Sequence, residues 1–370
     1  MHDSITIAQA NFALNLIRET CLEETNVISP ISISFALGMV LLGAKGNTAK
    51  EIQDAIAKDR KDKHYTKNDE IHNHLLKTYN FMGKNHDTIK IANKIYFKEN
   101  LHLYESYEMN IRNFYNGNFQ FTDFSNTQKA TNEINEFVAD ATNNEIKDII
   151  DMVDENVLMI LVNALYFERR WENPFTLHSS YSLFYSKPGV TKGLIMMSNE
   201  GLYNYAAKEN YEFLEIPYIN NSFSMFIILP NEKFGLSEVL KSLKITEVLD
   251  LMFSTKLIQG NVTIPKFNAK SSFELSQVLK HLNIKDAFNE EMADFSGTTD
   301  SKISISRFLH KVIVKVDEKG TKAAAATVVE DILISYDEYA NSFTFNADHP
   351  FLYLIADKAK NIYFVGTFYG

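Results

Sequence analysis

Residues 310–336 constrain this chain more than any other stretch. An alternating run, His310-Lys311-Val312-Ile313-Val314-Lys315-Val316, reads as a strand with one apolar face. It continues into Asp317-Glu318-Lys319-Gly320-Thr321-Lys322-Ala323-Ala324-Ala325-Ala326-Thr327-Val328-Val329, and then into the acidic, mixed run Glu330-Asp331-Ile332-Leu333-Ile334-Ser335-Tyr336. Alanines favour a helix. Gly320 and the β-branched Thr321, Thr327, Val328 and Val329 favour extended structure. Propensity therefore leaves the segment open between loop, helix and strand. Its small side chains would also let it slide between two existing strands without overpacking the layer beneath.

The rest of the chain narrows the class. With 370 residues a large core is available, and length alone suggests two or three domains. No repeat, low-complexity block or Pro/Ser-rich linker divides the chain, and only seven prolines interrupt it, which fits one compact unit. Thirty-seven basic against 47 acidic residues give a net charge of −10, which argues against a general affinity for nucleic acid. A single cysteine, Cys21, excludes an internal disulfide and a cysteine-rich zinc site. His72 and His74 are two apart and diverge on a helix, so they form no metal pair. No G-x-S-x-G, G-x-G-x-x-G, P-loop or H-E-x-x-H motif occurs. The expectation is therefore no enzyme activity, no metal and no cofactor.

The first residues, Met1 to Thr6, carry no basic region and no apolar core of signal-peptide length. The expected location is cytoplasmic or nuclear, with secretion by a non-signal route left open. Ile31 to Leu42 is apolar but too short to span a bilayer, so no membrane is expected. The sequons Asn220-Asn221-Ser222 and Asn261-Val262-Thr263 carry no meaning without secretion.

Helical spacing predicts helices over Ala8–Arg18, over Pro30–Leu41 behind a Ser29 cap, and over Thr48–Ile56, Glu70–Phe81, Thr131–Ala141 and Leu275–Leu282. Strands are predicted over Thr88–Phe97, Leu158–Phe167, Val262–Phe267, Lys311–Val316, Phe343–Phe345, Phe351–Ile355 and Ile362–Phe368. Phe213–Pro217 and Phe223–Leu229 read as a hairpin across Tyr218–Ser222. Interleaved helices and mostly antiparallel strands make the class α+β.

Several motifs in order resemble the serpin superfamily of protease inhibitors. They are Asn26-Val27-Ile28-Ser29-Pro30-Ile31-Ser32-Ile33, Gly43-Ala44-Lys45-Gly46-Asn47-Thr48, Asn93-Lys94-Ile95-Tyr96-Phe97, Ile134-Asn135-Glu136-Phe137-Val138, Asn163-Ala164-Leu165-Tyr166-Phe167 and Trp171-Glu172-Asn173-Pro174-Phe175. Ala293-Asp294-Phe295-Ser296-Gly297, His310-Lys311 and His349-Pro350-Phe351 continue the series. Many relatives carry tryptophan where this chain has Phe137. Asn346 to Phe351 resembles intracellular, ovalbumin-like members.

The resemblance implies one serpin domain over 1–370, with three β-sheets, about nine helices and an exposed reactive-centre loop near 318–342. The hinge of that loop would be Glu318, Gly320, Thr321, Ala323, Ala324, Ala325, Ala326 and Thr327. Ser29, Ser32, Asn163 and His310 would form the shutter beneath the central sheet, and Trp171 would mark where the loop first goes in. On the residues alone, Ser32 and Ser34 equally suit a packed helix, His310 a satisfied core position and Trp171 simple packing.

Family spacing from Gly320 places the scissile bond at Ile334–Ser335. Leu333, Tyr336 and Tyr339 are alternatives, because the span from Ser335 to Pro350 is longer than in many relatives. An aliphatic Ile334 suits the pocket of a chymotrypsin-, elastase- or cathepsin-like protease and not that of a trypsin-like one. The implied mechanism is cleavage, acyl-enzyme trapping and insertion of the loop as a new strand, an example of strand addition that general treatments already use. On insertion Thr321, Ala323, Ala325, Thr327 and Val329 share the inward face, and Asp331 falls on it too. The alternative function is a non-inhibitory serpin acting as chaperone, carrier or storage protein. The protein is expected to be a monomer. The cluster Lys58, Arg60, Lys61, Lys63, His64 and Lys67 reads as a solvated loop, with polyanion binding as the alternative.

Overall fold

The computed structural model describes residues 4–20, 23–58, 68–85, 88–320 and 342–370. Nine α-helices occur among them: α1 (Ser4–Thr20), α2 (Pro30–Leu41), α3 (Gly46–Ile56), α4 (Asn68–Lys84), α5 (Glu105–Tyr115), α6 (Thr127–Ala141), α7 (Leu236–Ser242), α8 (Ile245–Ser254) and α9 (Ser276–His281). The strands are β1 (Asn26–Ile28), β2 (Ile89–Lys98), β3 (Phe119–Thr122), β4 (Met159–Phe167), β5 (Thr176–Lys187), β6 (Val190–Ala207) and β7 (Tyr211–Pro217). They continue with β8 (Phe223–Pro230), β9 (Lys256–Pro265), β10 (Phe267–Glu274), β11 (Arg307–Val316), β12 (Ser342–Asn346), β13 (Phe351–Asp357) and β14 (Ile362–Phe368). No helix of the described residues is long and apolar enough to cross a membrane.

One sheet has five strands in the order β10-β11-β4-β2-β3. β11 runs antiparallel to β10 but parallel to β4, from Arg307↔Ile160 to Val314↔Phe167. The other nine strands form one hydrogen-bonded network, β1-β14-β13-β8-β7-β6-β9-β12, with β5 beside β6. The 18-residue β6 joins its two halves: it pairs with β5 and β9, and then with β7 from Asn204 to Ala207. Counted as two sheets joined by β6, the network brings the molecule to three sheets, the expected α+β architecture.

Burial follows from composition. Every residue of α2 is buried, as expected for a helix apolar on all sides. It packs on β14 of one sheet and on β2 and β4 of the other. Gly38 lets α4 and α5 come close to it, since a Cβ there would lie 2.3 Å from Tyr115 Oη of α5 and 2.7 Å from Leu75 Cδ1 of α4. β4, apolar except for Asn163, is buried along its whole length, the mark of a strand covered on both faces. The main core lies on the α2 side. A second cluster, including Ile134, Val138, Ile146 and Ile150 over Tyr96, Val162, Ala164, Leu309 and Ile313, lies under α6.

Some boundaries differ from the sequence-based expectation. The strand predicted over Val262–Phe267 ends at Pro265, and Phe267 opens β10. Pro265 closes one run and Lys266 separates two strands that the continuous β-forming composition had merged. Ser29 occupies the N-cap position of α2, yet its hydroxyl makes no capping bond and is buried without a partner.

Candidate functional site

The site begins with a row of polar side chains across three adjacent strands. Asn93 on β2 lies opposite Asn163 on β4, which lies opposite His310 on β11. Alternation along the strands turns all three toward α2. All three are buried, as are Ser29 and Ser32 at the start of that helix.

The hydrogen bonds close into a ladder. The Ser29 backbone N–H donates to His310 Nε2 at 3.1 Å. Nε2 therefore keeps its lone pair, and the proton sits on Nδ1, which donates to Asn163 Oδ1. Ser32 Oγ lies 2.7 Å from the same Oδ1 and 3.2 Å from the Ser29 carbonyl. The Asn163 amide nitrogen donates to the Ser32 carbonyl at 3.0 Å and to Asn93 Oδ1. Burial drives the His310 pKa down to about 3, so the imidazole is neutral at any ordinary pH.

The second cluster lies at one end of the β4–β11 seam. Past β11 the chain turns sharply: Asp317 and Gly320 exchange backbone hydrogen bonds at 3.2 Å, and the Asp317 carboxylate accepts from the Lys319 N–H at 3.0 Å. Trp171, just past β4, closes over this turn. Its indole N–H donates to the Asp317 carbonyl at 2.8 Å, and its backbone N–H donates to the Lys319 carbonyl at 3.2 Å. The ring stacks on Tyr218 with centroids 4.3 Å apart. Gly320 has φ +96°, and a Cβ on it would lie 2.2 Å from the Trp171 nitrogen, so only glycine fits. The Glu318 carbonyl accepts from the Phe175 N–H at 2.7 Å, and its carboxylate meets Lys266 Nζ at 2.8 Å. That lysine holds the Glu318 pKa below the ordinary carboxylate range, whereas burial raises that of Asp317.

Over the opposite face of the seam lies α6 with the segment that follows it. Asn135 binds that segment back on the helix, donating to the Ile150 carbonyl at 2.8 Å and accepting from the Ile149 N–H at 2.9 Å. Phe137 receives Lys94 Nζ 3.8 Å above its ring.

Of the residues singled out from sequence, Ser29, Ser32, Asn163 and His310 come together, and Trp171 binds the Asp317–Gly320 turn that carries Glu318 and Gly320. Asn93 and Tyr218 belong to the same two clusters without having been singled out. Asn93 was legible only as part of a strand motif, because its partnership with Asn163 depends on strand register. The hinge residues Thr321, Ala323, Ala324, Ala325, Ala326 and Thr327, the bond Ile334–Ser335 and its alternatives Leu333, Tyr336 and Tyr339 lie outside the described residues. So do Arg60, Lys61, Lys63, His64 and Lys67, whereas Lys58 pairs with Asp54 at 3.1 Å. His72 is buried, with Nδ1 at 2.7 Å from Tyr115 Oη, and among the described residues no three metal-ligating side chains gather.

The comparisons agree with this geometry. The model of the family described as serpin (serine protease inhibitor) matches residues 7–370. Human (Homo sapiens) serpin B4 is 32% identical over 99% of this chain and 99% of its own. The leukocyte elastase inhibitor of Equus caballus is 30% identical, again over 99% of each. The crystal structure of the thermophilic serpin tengpin in its native state matches with a TM-score of 0.87 at 28% identity, covering 100% of this chain and 95% of that one. A ladder of buried polar groups beneath a parallel seam, a glycine turn at its end and a family match along nearly the whole length lead to one conclusion: the chain belongs to the serpin family.

Proposed function

We propose that this protein inhibits a serine or cysteine protease with an apolar primary pocket by acting as a suicide substrate. The protease nucleophile attacks the Ile334 carbonyl carbon. The Ile334–Ser335 amide breaks, Ser335 leaves as the new amine, and the acyl group stays on the enzyme. The chain from Thr321 to Ile334 then enters the five-stranded sheet between β4 and β11.

The observation that carries this reading is the parallel pairing of β4 and β11 beside the turn at Asp317–Gly320. A chain that reverses there runs antiparallel to β11 and hence to β4. Insertion replaces one parallel pairing by two antiparallel ones, which are slightly more stable per residue. The small residues Thr321, Ala323, Ala325 and Thr327 would face the α2 side, where bulky side chains would overpack an already filled layer. The name of the equine relative, an elastase inhibitor, is in keeping with an aliphatic residue at the scissile bond.

The test is to mix the protein with chymotrypsin, elastase and a cathepsin. The expected result is a complex that survives denaturing electrophoresis, with a released fragment beginning at Ser335 by mass spectrometry. Clean cleavage without a complex and without a gain in thermal stability would instead make this a non-inhibitory member.

A further inference from the structure

The cover formed by α6 and the segment after it is fastened on both sides of the β4–β11 seam. On one side, Lys94 of β2 sits under Phe137 and donates to Gln120 of β3 at 3.0 Å, and Gln120 in turn donates to Glu133 of α6. Asn135 and Thr131 bind residues 149–153 to the helix. On the other side, two lysines of β11 reach the same segment: Lys311 donates to the Asp148 carbonyl, and Lys315 Nζ lies 2.7 Å from Glu145 Oε2.

Lys315 also crosses the seam directly. Its ammonium lies 5.0 Å from the ring centroid of Tyr166 on β4, and the Tyr166 hydroxyl donates to Glu168 at 2.9 Å. Ile313 is the register partner of Tyr166, so Lys315 stands two residues nearer the Asp317–Gly320 turn. A strand entering from Gly320 must part Lys315 from Tyr166 before anything further along. That step takes neighbouring strands from about 4.8 Å apart to about twice that distance.

We propose that Lys315, gripped by Glu145 on the cover and lying over Tyr166 on the facing strand, is a clasp that sets how fast the seam accepts a new strand. The inference rests on the insertion reading above. Lys315 and Glu145 are each 34% exposed, so water and salt weaken their attraction. The clasp is therefore a brake and not a lock. Lys315 is a positioning residue, acting on strand separation and not on the scissile bond.

The test uses the intact protein and a synthetic peptide with the sequence of residues 321–333. Uptake is followed as the gain in thermal stability over time. Lys315→Met keeps the aliphatic stem and removes the charge, and it is expected to take up peptide roughly two- to fivefold faster than wild type. Glu145→Gln should accelerate uptake in the same way, whereas Lys315→Arg should keep the wild-type rate. Added sodium chloride should speed wild type and leave Lys315→Met unchanged. The rate at which an unrelated protease cuts the loop should be the same in all four, which separates the clasp from general loosening. Equal uptake by wild type and both charge-removing variants would overturn the clasp while leaving insertion intact. A wild type that never takes up peptide would overturn insertion and the clasp together.

Discussion

Every donor and acceptor of the Asn163 amide is engaged: Oδ1 accepts from Ser32 and His310, and Nδ2 donates to Ser32 and Asn93. Asparagine is the residue that fits, because the ladder needs an acceptor on one side and two donor hydrogens on the other. Asn163→Asp would put a second acceptor against the Ser32 carbonyl and Asn93 Oδ1. The expected loss is roughly 1–3 kcal/mol, from Asn93 Oδ1 left buried without its donor. Urea unfolding measures it, and a loss below about 1 kcal/mol would mean that water already shares the ladder. Two histidines, His310 and His72, are buried in a way that ties stability to pH. Burial lowers the pKa to about 3 for His310 and about 4 for His72. In the unfolded chain both bind protons below about 6.5. The unfolded state thus gains protons first as pH falls. Their contribution is complete above pH 6.5 and drains away between 6.5 and 3 for His310 and between 6.5 and 4 for His72, at up to about 1.4 kcal/mol per pH unit each. Melting temperature against pH should show this slope, and His72→Phe should flatten part of it. A flat profile from pH 6.5 to 4 would contradict neutral burial.

At the scale of elements, legibility tracked burial. The apolar helix α2, the strand β4 and the hairpin β7–β8 stand out in sequence because both or one of their faces must be covered. Some missed elements were weakly patterned, although α8, with Ile245, Val248, Leu249 and Met252 buried, was missed as well. β5 (Thr176–Lys187) exposes Tyr181 and Leu183, and β6 carries Gly193 and Gly201, so neither shows clean alternation. Short α7 and amphipathic α5 were hidden by charged residues on their outer faces. The ladder residues were individually ordinary and became a candidate site only through the resemblance, since register and not spacing brings them together. The turn at the end of β11 is the element whose geometry depends most on one residue. Gly320→Ala would force a Cβ into the Trp171 and Arg170 backbone at positive φ. The expected cost is roughly 1–3 kcal/mol. Limited proteolysis should then cut faster on both sides of the turn, and an unchanged digestion pattern would show that the turn relaxes freely.

For the whole molecule, the proposed insertion would set the observed five-stranded sheet against one of six strands. The difference between them depends on what the added strand brings to the inward face. Asp331 lies outside the described residues, but on the proposed insertion the alternation from Thr321 would put it on that face. A carboxylate placed there without a partner is costly. Asp331→Ala should raise the melting temperature of the loop-cleaved protein while leaving that of the intact protein unchanged. No change in the cleaved form would show that insertion stops short of this residue.

The chain contains one tryptophan. Trp171 is stacked on Tyr218, with its indole N–H bonded to the Asp317 carbonyl. Light absorbed at the red edge of the aromatic band is therefore emitted from a single place, the point where the proposed insertion would begin. The protein carries its own optical probe, and its spectrum would time the first moments of the proposed strand entry without any added label.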